Sequence, residues 1–203
     1  GINYEFSPVI LNNSGNDYSG GTVVGTNGLG ASLGKGSLLR LGQDEVLPHG
    51  MGKGGLSINP WSSFNDALLA ATLDLDGKSE TVNTLSSGPK AVITSSVAGQ
   101  GTLIVGGLDE ASDWRGTLKG GATIEKRGSG TFSAIGARIE DGTLWLKDGT
   151  LLIGGPNVMD GGTVVFDGGN MQLARPSGLD EYRGAGAQIN LDVPLTYTGW
   201  RRI

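Results

Sequence analysis

Short runs of alternating apolar and polar residues recur along the chain, and a Gly-Thr pair opens many of them. The pairs, numbered by the Thr, stand at Thr22 (GTVV), Thr102 (GTLIV), Thr117 (GTL), Thr131 (GTF), Thr143 (GTLWL), Thr150 (GTLLI) and Thr163 (GTVVF). Other runs alternate without the Gly: ATLDLDG at 71–77, ETVNTL at 80–85, KAVITSSV at 90–97, ATIEK at 122–126, ARIEDG at 137–142 and AQINLDV at 187–193. Successive side chains of a strand point to opposite faces, so this alternation predicts short strands with one buried face. The inward set is then Leu73, Leu75, Ile124, Phe132, Leu144, Leu146, Leu151, Ile153, Val164 and Phe166. Helical periodicity is confined to NPWSSFNDALLAATL, 59–73, where Phe64, Ala67, Leu68 and Ala71 share a face. That segment reads either as one short helix near 60–70 or as an irregular loop.

Many short strands with Gly-rich turns fit two architectures. One is an antiparallel sandwich or barrel; the other is a solenoid of stacked rungs. Asp-Gly at 141–142 and at 148–149 looks hairpin-like locally. The runs are short for a sandwich, however, and the turns are unevenly spaced. The prediction is an all-β right-handed parallel β-helix with short irregular loops. Composition supports it: 38 of 203 residues are Gly, more than twice the usual share of roughly 7 %. Gly adopts the left-handed conformations of tight bends without steric cost. Thr suits the outer face of a strand, and Leu, Ile and Val stack within.

Three stretches resemble the autotransporter-associated β-strand repeat family of bacterial surface proteins. The first is Lys126-Arg127-Gly128-Ser129-Gly130-Thr131-Phe132, closing at Gly136. The second is GNDYSGGTVV, Gly15 to Val24. The third is the ordered series VLPHG (46–50), TLDLDG (72–77) and TVNTLSSG (81–88). The chain departs from the pattern at Trp114-Arg115-Gly116-Thr117 and in an insertion at 57–70. The resemblance implies a right-handed parallel β-helix, secretion and a surface role. It implies no catalytic activity and no active-site residues.

Charge narrows the partners. The net charge is −5 with no long basic run, so nucleic acid and anionic membrane are unsuited, since phosphate binding needs clustered Lys and Arg. Cys is absent, which removes disulfides and Cys metal sites and suits export. No apolar run is long enough to span a membrane. The chain reads as a single β-solenoid domain, 1–203, belonging to a longer secreted or cell-surface protein.

Candidate chemistry is sparse. Asp74 and Asp76 lie two apart in LDLD and would share a strand face, the spacing a glycosidase pair would need. The plainer reading is a solvated face opposite Leu73 and Leu75. Glu140-Asp141 and Asp109-Glu110 read as turn and loop residues. Asp160, Asp167 and Asn170 surround glycines but lack the tandem calcium nonapeptide. His49, the single histidine, lies in a loop, and no nucleophile elbow accompanies it. GMGKGG, 50–55, has no Gly-Lys-Ser/Thr opening a helix. Trp145, with Lys147, points outward if Leu144 and Leu146 point inward, and an outward Trp can stack on a sugar ring. Tyr18 falls on a repeat bend; Trp61, Trp114 and Trp200 fall in irregular segments.

The expectation is a non-catalytic, structural or presenting solenoid segment, used in adhesion, with neighbouring domains of its own chain and a polysaccharide or host-surface ligand as partners. It has no catalytic residues, metal ligands or cofactor, and Trp145 and Lys147 are its candidate ligand-binding residues. The rivals are a carbohydrate-binding module and a polysaccharide-active β-helix enzyme.

Overall fold

The computed structural model describes residues 8–25, 36–58, 70–154, 158–159, 161–174 and 188–191. Among them every regular element is a strand, and every strand pairing is parallel. The strands, numbered along the chain, form three sheets. The first stacks β1 (Val9–Leu11), β3 (Ser37–Leu41), β5 (Ala71–Asp74), β8 (Ala91–Thr94), β11 (Thr117–Leu118), β14 (Arg138–Ile139) and β17 (Val158–Met159). The second stacks β2 (Thr22–Val24), β4 (Leu56–Ile58), β7 (Leu85–Ser87), β10 (Ser112–Asp113), β13 (Thr131–Ser133), β16 (Thr150–Gly154) and β19 (Asn170–Ala174). The third stacks β6 (Ser79–Val82), β9 (Thr102–Val105), β12 (Thr123–Lys126), β15 (Thr143–Leu146), β18 (Thr163–Phe166) and β20 (Gln188–Leu191). From β5 to β19 the chain visits the first, third and second sheets in turn, which is a three-walled parallel β-helix.

Register shows why the alternation forms this coil. In the third sheet Thr102, Thr123, Thr143 and Thr163 align on one row. The next row, Leu103, Ile124, Leu144 and Val164, is buried. In the first sheet Leu39, Leu73, Ile93, Leu118 and Ile139 form a similar inward column. In the second, Phe132 stacks on Leu151 and Leu151 on Met171. Each fully buried aliphatic contributes about 1.5–3 kcal/mol of transfer free energy. Like side chains stack rung upon rung, so the core grows with length instead of closing.

All but one of the predicted inward residues are buried; Ile153 is partly buried against the core. Trp114, which the sequence could not place, is 1 % exposed and lies in the core. Tight bends link the walls. At Gly149, φ is +77° and an added Cβ would lie 2.4 Å from both Gly128 O and Gly130 O, so the bend admits no side chain. The predicted helix near 60–70 lies outside the described residues up to 69; Ala71–Leu73, the end of its periodic run, belong to β5.

Among the described residues the third sheet begins two rungs later than the other two. Above β6, where a further strand would sit, the loop 42–55 covers the edge. Glu45 N donates to Ser79 O (3.0 Å), and Ser79 N donates to Asp44 Oδ1 (2.7 Å). Asn83 accepts from Gly50 N and donates to Gly50 O and Lys53 O. Val46 and Leu47 of this loop are buried in the core. An uncovered strand edge invites foreign pairing; here one main-chain bond and several side chains complete the ladder.

Candidate functional site

Three groups of polar or aromatic side chains stand out, on different parts of the coil. The outermost is the expected pair, Trp145 and Lys147. On β15 the exposure alternates, with Leu144 and Leu146 inward and Trp145 outward. Trp145 is half-buried, flanked along its row by Glu125 and Val165. Its indole Nε1 is buried without a hydrogen-bond partner. Lys147 Nζ lies 3.7 Å from the ring centroid and 3.1 Å from Asp167 Oδ2. The structure thus brings the two predicted residues together, and Lys147 covers one face of the ring. A sugar stacking on that face must displace a cation–π contact of about 0.5–1 kcal/mol.

The second group centres on Asp74, expected on a solvated face. It is instead 3 % exposed. Its carboxylate accepts hydrogen bonds from Arg40 Nε (2.8 Å), Ser96 N (2.9 Å), Asp76 N (3.0 Å) and Ser96 Oγ. The physical reason is the bend after β5. The alternation breaks at Asp74, and the carboxylate folds back to satisfy the backbone of two neighbouring rungs. Burial pushes its pKa up, but the bonds from Ser96, Asp76 and Arg40 outweigh that and hold it below the ordinary 3.8. Asp76, at φ +47°, forms the turn with Gly77. A glycosidase needs one carboxyl with a raised pKa, and Asp74 is shifted the other way with both oxygens engaged.

The third group was not foreseen. Glu45, His49 and Glu80 bring one ligand atom each within 4.8 Å of one another. Glu80 belongs to β6 and occupies the inward row above Leu103. It is 0 % exposed. Its carboxylate accepts from Val46 N (2.8 Å) and Leu47 N (3.1 Å). Burial, with the like charge of Glu45 adding to it, raises its pKa to about 7 against the pull of those bonds. Glu45 sits at φ +52°. Its carboxylate accepts from Thr81 N (3.0 Å) and Thr81 Oγ1 (2.9 Å), and its Oε2 lies 3.4 Å from His49 Nδ1. His49 Nδ1 is also 3.3 Å from Leu47 O. An open cleft of about 200 Å³ adjoins them, bordered by Asn16, Asp17, Pro48 and Lys53.

A signal for Glu80 existed in the sequence. Glu80 and Val82 have the same parity in ETVNTL, so an inward Val82 requires an inward Glu80. Glu45 and His49 carry no such signal, because their loop reaches β6 through tertiary contact.

The remaining candidates take local roles. Asp109, at φ +62°, accepts from Ser129 N (2.6 Å). Asp141 accepts from Gly120 N (2.5 Å), and Glu140 pairs with Arg138 (2.8 Å). Asp167 is paired with Lys147, while Asp160 lies outside the described residues. In GMGKGG, Lys53 pairs with Asp17. Tyr18 hydroxyl is 2.6 Å from Thr22 Oγ1. Trp61 and Trp200 lie outside the described residues. No described helix is long and apolar enough to cross a membrane. Compared with known proteins, the chain matches no family model, no curated protein and no solved structure.

Proposed function

We propose that the chain is a non-catalytic, presenting β-solenoid segment of a secreted or cell-surface bacterial protein, used in adhesion. The observation that carries this reading is the unbroken register of the third sheet from β9 to β18, with Thr outward and, but for Lys126, apolar residues inward. A coil that buries its apolar side chains rung against rung serves length and surface display. The likeness to the autotransporter repeat adds support: VLPHG, far from TVNTLSSG in sequence, packs directly on it through Asn83. The segment then joins neighbouring domains of its own chain and offers its outer faces to a polysaccharide or host-surface ligand.

Trp145 favours a second reading, a carbohydrate-binding module, because an indole face beside a cation suits an acidic sugar. Two assays separate the readings. The chain is incubated with plant, algal and bacterial polysaccharides, and reducing ends or unsaturated uronates are measured; the expected result is none. Turnover abolished in Asp74→Asn would overturn the non-catalytic reading. A glycan array then reports binding, and binding lost in Trp145→Ala replaces the presenting role with the carbohydrate-binding one.

A further inference from the structure

The loop that caps the third sheet holds the chain's only imidazole against two carboxylates. Hydrogen bonding of the loop accounts for Glu80 reaching Val46 and Leu47. Hydrogen bonds from Thr81 hold the Glu45 carboxylate on the same edge, and they set a second carboxylate and the His49 imidazole beside the buried one. Glu80 is wholly removed from solvent in an otherwise apolar column, and the neighbouring charge it feels is that of Glu45, of like sign. Among the described residues none of the ion pairs includes Glu80. Lys53, the nearby cation of the cleft, is engaged by Asp17. Two adjacent carboxylates, one of them buried and outside every ion pair among the described residues, are an arrangement that a divalent ion relieves.

We propose that Glu45, His49 and Glu80 form a binding site for one divalent transition-metal ion of the zinc class. The donor set decides the class. Two carboxylate oxygens and one imidazole nitrogen suit zinc, whereas calcium takes six to eight oxygens, more than this cluster supplies. The spacing is close to what coordination needs. Ligand atoms within 4.8 Å of one another must contract to distances of about 2.0–2.2 Å from a shared ion. Both side chains that must move, Glu45 and His49, are about two-fifths exposed, and Glu45 would adjust its bonds from Thr81 while Glu80 stays fixed. The adjoining cleft leaves room for water to complete the shell. The ion would tie the loop 42–55 to β6 by bonds stronger than the present hydrogen bonds. This inference does not depend on whether the solenoid presents a surface or binds a sugar.

The test uses the full chain, stripped with chelator and titrated with zinc chloride at pH 7.5 by calorimetry. One ion per chain is expected. Because the chain has a single histidine, the imidazole resonances of His49 report the site directly and should shift in step with the heat. His49→Ala, at an exposed position, should fold as the parent does and lose at least tenfold in affinity; Glu45→Gln should do the same. Cobalt should give visible absorption in the parent that is absent from His49→Ala. No saturable zinc binding, or binding equal in the parent and both variants, overturns the proposal. So does calcium binding as tightly as zinc with the His49 resonances unmoved, since the ion would then lie elsewhere.

Discussion

Lys126 sits where the pattern calls for an aliphatic. It lies between Val105 and Leu146 in an inward column of the third sheet and is 0 % exposed. Its ammonium turns toward the bend and donates to Arg127 O and to Gly128 O. Glycines make the space: a Cβ at Gly106 would come within 3.2 Å of Nζ and one at Gly149 within 2.8 Å. Replacing Lys126 by Met keeps the length and the apolar stem and removes only the donor. Two carbonyls lose their partner, at about 1–3 kcal/mol each. Against this, the cost of desolvating the ammonium disappears. That cost is real, since burial holds the pKa below the ordinary 10.5 despite the opposing charges of Asp148 and Asp109. The net expectation is a loss of about 2 kcal/mol. For a chain of this size that is a drop of about 4–8 °C in Tm, read by differential scanning calorimetry. The pH dependence gives a second check. Just below 10.5 the unfolded chain keeps a proton that folded Lys126 has shed, so the parent gains stability as pH rises through that window. Lys126→Met lacks this gain, and its deficit should widen there. An unchanged or higher Tm would refute the reasoning, because the ammonium would then cost more than its hydrogen bonds return.

Leu144→Ala should cost about 2–5 kcal/mol in chemical denaturation, as a large-to-small change in a buried column; a cost below about 1 kcal/mol would mean that the rungs collapse to fill the space. Gly149→Ala should destabilise at least as strongly, since the new methyl meets two backbone oxygens at 2.4 Å, and a neutral result would show that the bend yields. Asp74 has a folded pKa below 3.8, so its contribution is present above that value and fades as pH falls through the folded value. Asp74→Asn should therefore be less stable than the parent at pH 7 and approach it in strong acid, as followed by circular dichroism.

The strand starts were legible because a Gly-Thr pair needs only local chemistry: a bend, then an outward hydroxyl. Their uneven spacing was harder to read. Thr102, Thr123, Thr143 and Thr163 fall on one wall at steps of 21, 20 and 20 residues. Thr117 belongs to the first sheet, while Thr131 and Thr150 belong to the second. A single list of Gly-Thr pairs thus mixes three interleaved series. Parity within a strand also located two buried charges in principle, since Lys126 follows Ile124 and Glu80 precedes Val82 by two residues. Neither belongs to the predicted inward set; carbonyls of a bend satisfy Lys126 and amides of the capping loop satisfy Glu80. Asp74 and Trp114 had no such signal. Asp74 ends its strand, and the strand before Trp114 is only two residues long. Glu45 and His49 of the capping loop meet Glu80 across more than thirty positions of sequence, which no local pattern encodes.

The late start of the third sheet has a mechanical consequence. Between the second and third turns, β3 pairs with β5 and β4 with β7, so two walls carry tension from rung to rung through main-chain bonds. The third wall carries it mainly through side chains, Asp44, Glu45, Glu80 and Asn83, with one main-chain bond from Glu45 N to Ser79 O. Main-chain ladders are indifferent to acidity over the physiological range, whereas a carboxylate whose pKa lies at about 7 is not. Along its first turns the third wall is therefore a seam of different compliance. A pull on the end that bears β1 and β2 should open that seam on its loop side first, and leave the turns from β5 onward wound.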